Sequence, residues 1–494
     1  MFSREAVGIA LRISRHGGSL AWLITLTGLV CFVLAFLTHA TQLTGDAWWA
    51  WVAGRWEVRH GMPLRMNLAP NGALLHHAAW VNLEWGWEGL LGAVAGTGTH
   101  PAVVPLAGLT FAAAGLAWGL TAWGAAQWTR RWDAGRLAIV GVALLPLWFL
   151  FFDTVRPQIL TASAWIALLQ CLLAARRDVR WLWAIVLLTA LWAPLHGDWV
   201  LAPILCVTDA GYQAILHRAA GSVSRLGAAA ASVLVGLALT PGHLAGLAYI
   251  VWLSGNPWIH RIAEWQPPVW HQPWFAAWLG LWILAAGLLA WRIRQGRPIP
   301  SRLALWWGAT VFMTCLERRM MLYNAPITAW VLAATLPDTP WTITGGRRAV
   351  LTSAAAVAAA GIVGIAVGWQ SDAGPWIPPL ARTAAWVHRH PTPGYTLILG
   401  PCAAEWEAMG RVPRIYLDGR VDFFLRHAPG RIRWSDRLLT RGVAPASLAA
   451  HDVTRVIWWP GPLAPGLART LRAAHWRVAR RTPHWQVLDP PSAG

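Results

Sequence analysis

The sequence predicts an all-α polytopic membrane domain of about 11 transmembrane helices, followed by a small α/β domain outside the membrane. Three observations carry this. Of the 494 residues, 56% are hydrophobic and only 12% are charged, against roughly 25% charged in soluble domains. Apolar runs recur from residue 20 to residue 369, and inside a bilayer a helix satisfies its own backbone. After residue 370 short β-like segments alternate with helix-like ones. The predicted domains are therefore 1–370 and 371–494.

The elements follow in order. The basic opening MFSREAVGIALRISRHGG leads into an apolar run at 20–40. That run exceeds the apolar core of a signal peptide, about 7–15 residues, so it predicts an uncleaved first helix. Further spans are expected near 101–126, 137–152, 158–175, 181–194, 199–216, 226–243, 274–291, 303–316, 320–336 and 349–369. The short apolar piece 87–97 reads as an interfacial or re-entrant helix closing the first long loop, 41–88. In the tail, 395–401, 414–420, 454–460 and 484–490 read as strands, and 463–475 as a helix.

The net charge of +19 raises the question of nucleic acid. The arginines answer it. There is no lysine, and the arginines fall in alternate short loops: Arg4, Arg12 and Arg15; Arg130, Arg131 and Arg136; Arg176, Arg177 and Arg180; Arg218 and Arg225; Arg292, Arg294, Arg297 and Arg302; Arg347 and Arg348. Such loops face the cytoplasm and set topology. The expectation is a multi-pass protein of the bacterial inner membrane, with the N-terminus cytoplasmic and the C-terminal domain extracytoplasmic. The five cysteines form neither a disulfide framework nor a metal site.

The opposite loops carry the remaining chemistry. The 41–88 loop holds Asp46, Glu57, Glu84 and Glu88 among seven tryptophans: Trp48, Trp49, Trp51, Trp56, Trp80, Trp85 and Trp87. Residues 153–158, 195–199, 244–273 and 316–320 add Arg156, His196, Asp198, Glu264, Arg318 and Arg319. Polar groups at a membrane boundary are costly unless used or paired, so their collection on one face predicts one shared site.

These residues also form an ordered pattern. It runs Asp46, Trp48, Trp49 and Gly54; then Gly61 and Pro63; then Trp80, Glu84 and Trp85. Later come Arg156-Pro157-Gln158, Trp192 with Leu195-His196-Gly197, Glu264-Trp265 with Pro267, Arg318-Arg319, and Leu417-Asp418-Gly419-Arg420. The pattern resembles the GT-C superfamily of membrane glycosyltransferases, which includes oligosaccharyltransferases, protein mannosyltransferases and the lipid A aminoarabinose transferases. It is most similar to a group of bacterial polytopic proteins of that type. The resemblance implies many spans, a long first outer loop with an essential acid, and a soluble C-terminal domain. Ala50, Asn67 and Leu83 stand where the pattern implies His, Asp and His. These departures weaken a metal site in the first loop.

The chemistry expected of a GT-C enzyme assigns roles. Sugar transfer from a lipid phosphate needs a base for the acceptor proton, and a placed carboxylate contributes roughly 10²–10⁴-fold. It also needs fixed cations for the leaving phosphate, which the planar guanidinium suits. Asp46 is the expected base; a turn or capping role is the alternative. Glu84 orients an acceptor, shares a metal with Asp46, or pairs with an arginine. Arg156, Arg318 and Arg319 hold phosphate, or else anchor to lipid headgroups. Trp48, Trp49 and Trp85 are expected to bind substrate, and aromatic faces suit sugar rings. His196 and Asp198 bind donor or tie a tight helix connection, and Glu264 binds sugar hydroxyls or anchors an interfacial loop. Glu57 reads as a solvated charge, and Asp418 with Arg420 as a strand-end turn with a local ion pair.

The sequence therefore predicts a membrane glycosyltransferase. It moves a sugar from a polyprenyl-phosphate donor to a glycan, lipid or protein acceptor on the extracytoplasmic face, in contact with membrane lipid and not nucleic acid. No cofactor is assigned, and a divalent metal stays open. A transporter or flippase for lipid-linked solutes is one alternative; the chain lacks a convincing internal repeat, and its acids lie in loops rather than spans. A non-catalytic scaffold is the other.

Overall fold

In the computed structural model the described residues are 45–67, 75, 77–96, 103–129, 155–215, 219–297, 300–335, 377–399, 414–417, 420–458, 463–482 and 485–491, with isolated positions within 136–144. The expected spans at 20–40 and 349–369, most of 137–152, the boundary near 370 and Asp418 lie outside them.

The helices in order are α1 (Gly45–His60), α2 (Trp85–Val94), α3 (Val103–Thr129), α4 (Gln158–Ala174), α5 (Trp181–Trp192), α6 (Leu201–Ile215), α7 (Ala219–Leu239), α8 (Leu244–Ser254), α9 (Pro273–Arg294), α10 (Ser301–Leu316), α11 (Met321–Thr335) and α12 (Ile377–Arg389). Then come β1 (Tyr395–Leu399), α13 (Val421–His427), α14 (Pro429–Thr440), α15 (Pro445–Ala450), β2 (Val453–Trp458), α16 (Pro465–Ala473), β3 (Arg477–Arg481) and β4 (Gln486–Asp489). The chain forms two units. One gathers described residues of Ala107–Leu239 and Ile259–Val367; the other gathers those of Gln42–Leu106, Thr240–Trp258 and Gly368–Gly494.

The first unit is helical and built around α11. Every residue of that helix except Ala334 is buried. Its polar groups are matched internally: the Trp282 indole donates to Asn324 Oδ1 at 2.7 Å, and the Asn324 amide donates to Thr310 at 3.0 Å. At its C-terminus, Arg136 donates to the Ala333 carbonyl and Arg292 to that of Ala334. These are the carbonyls a helix end leaves without intrahelical partners. Gly124 on α3 lets the Trp330 indole lie against the helix and donate to the Thr121 carbonyl at 2.8 Å.

The outer helices behave as hydrocarbon-facing elements. On α5, Leu182, Ile185, Val186, Thr189 and Trp192 are buried. Trp183, Leu187 and Leu191, one turn apart, form a stripe exposed by 67–69%. In water such a stripe is a liability; in lipid it is the expected surface. Among the described residues, Gly221–Leu239 of α7 and Phe275–Arg294 of α9 are each long and apolar enough to cross a membrane. Apolar stretches in α4, α5 and α8 are shorter. The sequence expectation of one loop over 244–273 needs correction, because α8 occupies its first third.

The second unit contains a four-stranded sheet in the order β1-β2-β4-β3, with β1 and β2 parallel and the other pairs antiparallel. Alternation along β1, β2 and β4 fills two cores. Leu397, Leu399, Val456 and Leu488 face one, and Ile398, Ile457 and Val487 the other. Leu75 joins the first core, with Ala78 and Trp80 packed against it, so the first loop completes the tail's interior. Among the described residues of the expected strand over 414–420, the pairing is a single bridge between Ile415 and Thr396. The strand β3 was not expected, because Arg477–Arg481 has no apolar alternation. Its arginines suit an exposed edge, where charge discourages further pairing.

The close contact of Trp330 with α3 makes Gly124 a sensitive position. A Cβ there would lie 2.3 Å from the indole. Gly124→Leu should destabilise the full chain by about 1–3 kcal/mol, read as a lower thermal midpoint in detergent by tryptophan fluorescence; an unchanged midpoint would contradict the packing.

Candidate active site

In the helical unit, the polar groups gather where α4, α5, α10 and α11 have their apolar runs interrupted. After α5 the chain extends at His196 and makes a 3-10 turn, Gly197–Val200. That turn places Asp198 at 3.2 Å from His196 Nδ1 and 3.2 Å from Arg319 Nη2. Tyr323, one helical turn beyond Arg319, donates its hydroxyl to the other face of the same carboxylate. The Arg319 guanidinium also lies 3.7 Å from the centre of the Trp265 ring, a cation–π stack. Burial alone would favour protonated Asp198, but His196, Arg319 and the Tyr323 hydroxyl prevail and hold the carboxyl far below the ordinary range.

Arg156, just before α4, pairs with Glu264 at 2.7 Å. Its partner sits in a short 3-10 turn, Ala263–Trp265, which also supplies the ring under Arg319. Arg318 donates its backbone N–H to Gln266 at 2.9 Å, and its guanidinium lies 5.9 Å from the Phe275 ring. Of the predicted residues, the fold thus brings together Arg156, His196, Glu264, Arg318 and Arg319, along with Asp198. Sequence reasoning missed Tyr323; its spacing of four from Arg319 on a helix was the available signal.

The second unit holds the acids of the first loop. The helices α1 and α2 cross at Gly54 and Gly92. A Cβ on Gly54 would lie 1.7 Å from the Glu88 carbonyl oxygen, and one on Gly92 would lie 2.3 Å from Gly54. The crossing brings Glu57 and Glu88 to one buried amide. Asn82 donates to Glu57 Oε1 at 3.1 Å and to Glu88 Oε2 at 2.5 Å. The Leu64 N–H also donates to Glu57 Oε1, at 3.0 Å. Glu57 is 5% exposed, which corrects its reading as a solvated charge. Burial raises its carboxyl to about 7, and burial together with the Glu57 charge pushes Glu88 well upward.

Asp46 lies at the second residue of α1, with its side chain outside the description. Trp48 is fully buried, edge-on to Trp51. Trp49 meets Trp80 edge-to-face at 5.5 Å. Glu84 takes the position before α2 and donates its N–H to Asn82 at 3.0 Å, and Trp85 opens that helix. Asn67, the departure from the GT-C pattern, is wholly buried: its amide donates to the Leu75 carbonyl at 2.7 Å, and its oxygen accepts from Arg420 at 2.8 Å. Among the described residues no three of His, Cys, Asp and Glu gather as metal ligands.

No family profile matches the chain, and no curated protein sequence does. Solved structures do. ArnT from Cupriavidus metallidurans, bound to undecaprenyl phosphate, aligns at a TM-score of 0.50 and 16% identity, covering 96% of this chain and 98% of that one. The apo oligosaccharyltransferase of Archaeoglobus fulgidus aligns at a TM-score of 0.49 and 13% identity, covering 88% and 69%. The end-to-end match to ArnT shows that the two chains share a fold.

The buried carboxylates set a pH dependence. Glu57 has a folded value of about 7 against an ordinary 4.5, so the native state binds the extra proton between those limits. Its contribution to stability is then fullest below pH 4.5 and is lost as pH rises towards 7. Glu57→Gln should flatten that decline in denaturant melts from pH 4 to 8; an identical slope in the variant would refute the assignment.

Proposed function

We propose that the chain is a membrane glycosyltransferase that moves a sugar from a polyprenyl-phosphate donor to a glycan, lipid or protein acceptor at the extracytoplasmic face. The observation that carries this reading is the grouping of Arg156, Arg318 and Arg319 with Asp198, Tyr323 and Trp265 on a GT-C fold. The solved ArnT neighbour holds undecaprenyl phosphate, and such a lipid needs the kind of site these arginines make.

The chemistry is a displacement at the anomeric carbon. A base removes the proton from the acceptor nucleophile, and the nucleophile forms the new bond to the sugar. The old carbon–oxygen bond to phosphate breaks, and its electron pair leaves on the polyprenyl phosphate. Inversion follows from attack opposite the leaving group. Asp46 is the proposed base. Arg319 is the proposed first phosphate ligand, because Asp198 and Trp265 already fix its fork, and a preorganised charge needs little reorganisation when the leaving group develops charge. Arg156 is the second. An arriving phosphate competes with Glu264 for it, which frees the Glu264 carboxylate for a sugar hydroxyl. Arg318 adds long-range attraction, and Glu84 orients the acceptor.

The basic loops at the other ends of the helices support placing those ends on the cytoplasmic side. Arg225 and Arg302 there converge on Asp209 within the helical unit, so these cations have a structural counter-charge.

The roles separate in kinetics. With the full chain in liposomes and tritium-labelled polyprenyl-phosphate sugars from bacterial membranes, Asp46→Asn should lower kcat by about 10²–10⁴-fold with KM for donor unchanged. Arg319→Gln should weaken undecaprenyl phosphate binding instead. Retained kcat in Asp46→Asn would exclude it as the base.

A further inference from the structure

We propose that Arg420 is a positioning residue: it pins the first half of α1, the helix bearing Asp46, to the C-terminal domain. The pin itself rests on geometry alone, while its catalytic consequence rests on the function proposed above.

The guanidinium of Arg420 lies 3.6 Å from the centre of the Trp49 ring, 4.8 Å from Phe423 and 5.5 Å from Trp80. Its Nη2 donates to Asn67 Oδ1 at 2.8 Å. The side chain is 6% exposed. A planar cation stacked in this way, and hydrogen-bonded along its edge, has one permitted orientation. The four groups come from four separate stretches: α1, the extended residues before 68, the returning residues 77–80, and α13.

Each of those stretches is fastened in turn. The Asn67 N–H donates to Ala78 O at 2.8 Å, and the His77 N–H donates to Asn67 O at 2.9 Å. Trp49 meets Trp80 edge-to-face, and His427 bonds the Ala79 carbonyl at 2.8 Å. The far half of α1 is held separately, by the Gly54–Gly92 crossing and the Glu57–Asn82–Glu88 cluster. Arg420 is therefore an attachment of the near half, alongside the Trp49–Trp80 contact. Asp46 precedes Trp49 by three residues in the same helix.

Asn67 gains a reason from this. Its side chain donates to the Leu75 carbonyl and accepts from Arg420 at once. An ionised Asp can accept but not donate, so Asn67→Asp would break the Leu75 bond. The clamp joins residues more than three hundred positions apart in the chain.

The test uses Arg420→Met and Arg420→Lys in the full chain, with amide hydrogen exchange and donor turnover as readouts. In Arg420→Met, exchange at 49–56 should rise by at least about tenfold, while 421–440 and the sheet stay at the wild-type rate. Arg420→Lys keeps the charge without the planar fork and should fall between the two. Turnover should show kcat lowered by about 10–100-fold with KM for the lipid donor unchanged, as expected of a displaced reacting group. Faster exchange across the whole tail, or no change at 49–56, would overturn the pin. A raised KM with kcat intact would overturn the positioning role. Absence of turnover in the wild type would refute the proposed glycosyl transfer, while exchange would still decide the pin.

Discussion

The carboxylate of Asp198 is the constraint on which the polar end of the helical unit depends. It sits on a four-residue 3-10 turn and takes Arg319 from the short turn before α11, Tyr323 from the start of α11, and His196 from the residue before its own turn. Each partner alone would be costly to keep away from water; together they satisfy one another. The fixed position of Arg319 follows, and so does its stack on Trp265, which brings the Glu264 turn to Arg156. One acid thus organises polar side chains from three places in the chain. It also ties the head of the buried helix α11, whose other end is capped by Arg136 and Arg292.

The loop and the tail obey a different logic. Their shared unit is held by shape at one crossing and by aromatic packing at the other contacts. Gly54 and Gly92 permit backbones to touch, which forces Glu57 and Glu88 together, and Asn82 and a retained proton make that contact tolerable. Leu75 enters the tail's core directly. A loop that contributes to another element's core gains an order that its own length would not supply, since burial of apolar area offsets the entropy of closing it.

Much of this was legible in the sequence. The helices α4 to α7 and α9 to α11 lie where the sequence has its apolar runs, and α7 and α9 have the length and composition that hydrocarbon demands. The strands β1, β2 and β4 follow from β-branched and aromatic runs. The grouping of Arg156, His196, Glu264 and Arg319 was legible because polar residues at the ends of spans are few. Other features were hidden for physical reasons. α8 has an apolar run too short to signal a span. Glu57 looks solvated on a charged helix face, and only the crossing with α2 buries it. Tyr323 sits in an apolar run, and its partner lies 125 positions away. The contact between Arg420 and Trp49 was hidden because a pairing so distant in the chain leaves no periodic trace.

The claim that most depends on this arrangement is that Arg156, Arg318 and Arg319 receive a lipid phosphate. A structure of the chain with undecaprenyl phosphate tests it most directly. The account predicts phosphate oxygens within hydrogen-bond distance of the Arg319 or Arg156 guanidinium, with Asp198 still paired to Arg319. Phosphate found instead beside Arg225 and Arg302, at the other ends of the helices, would contradict it.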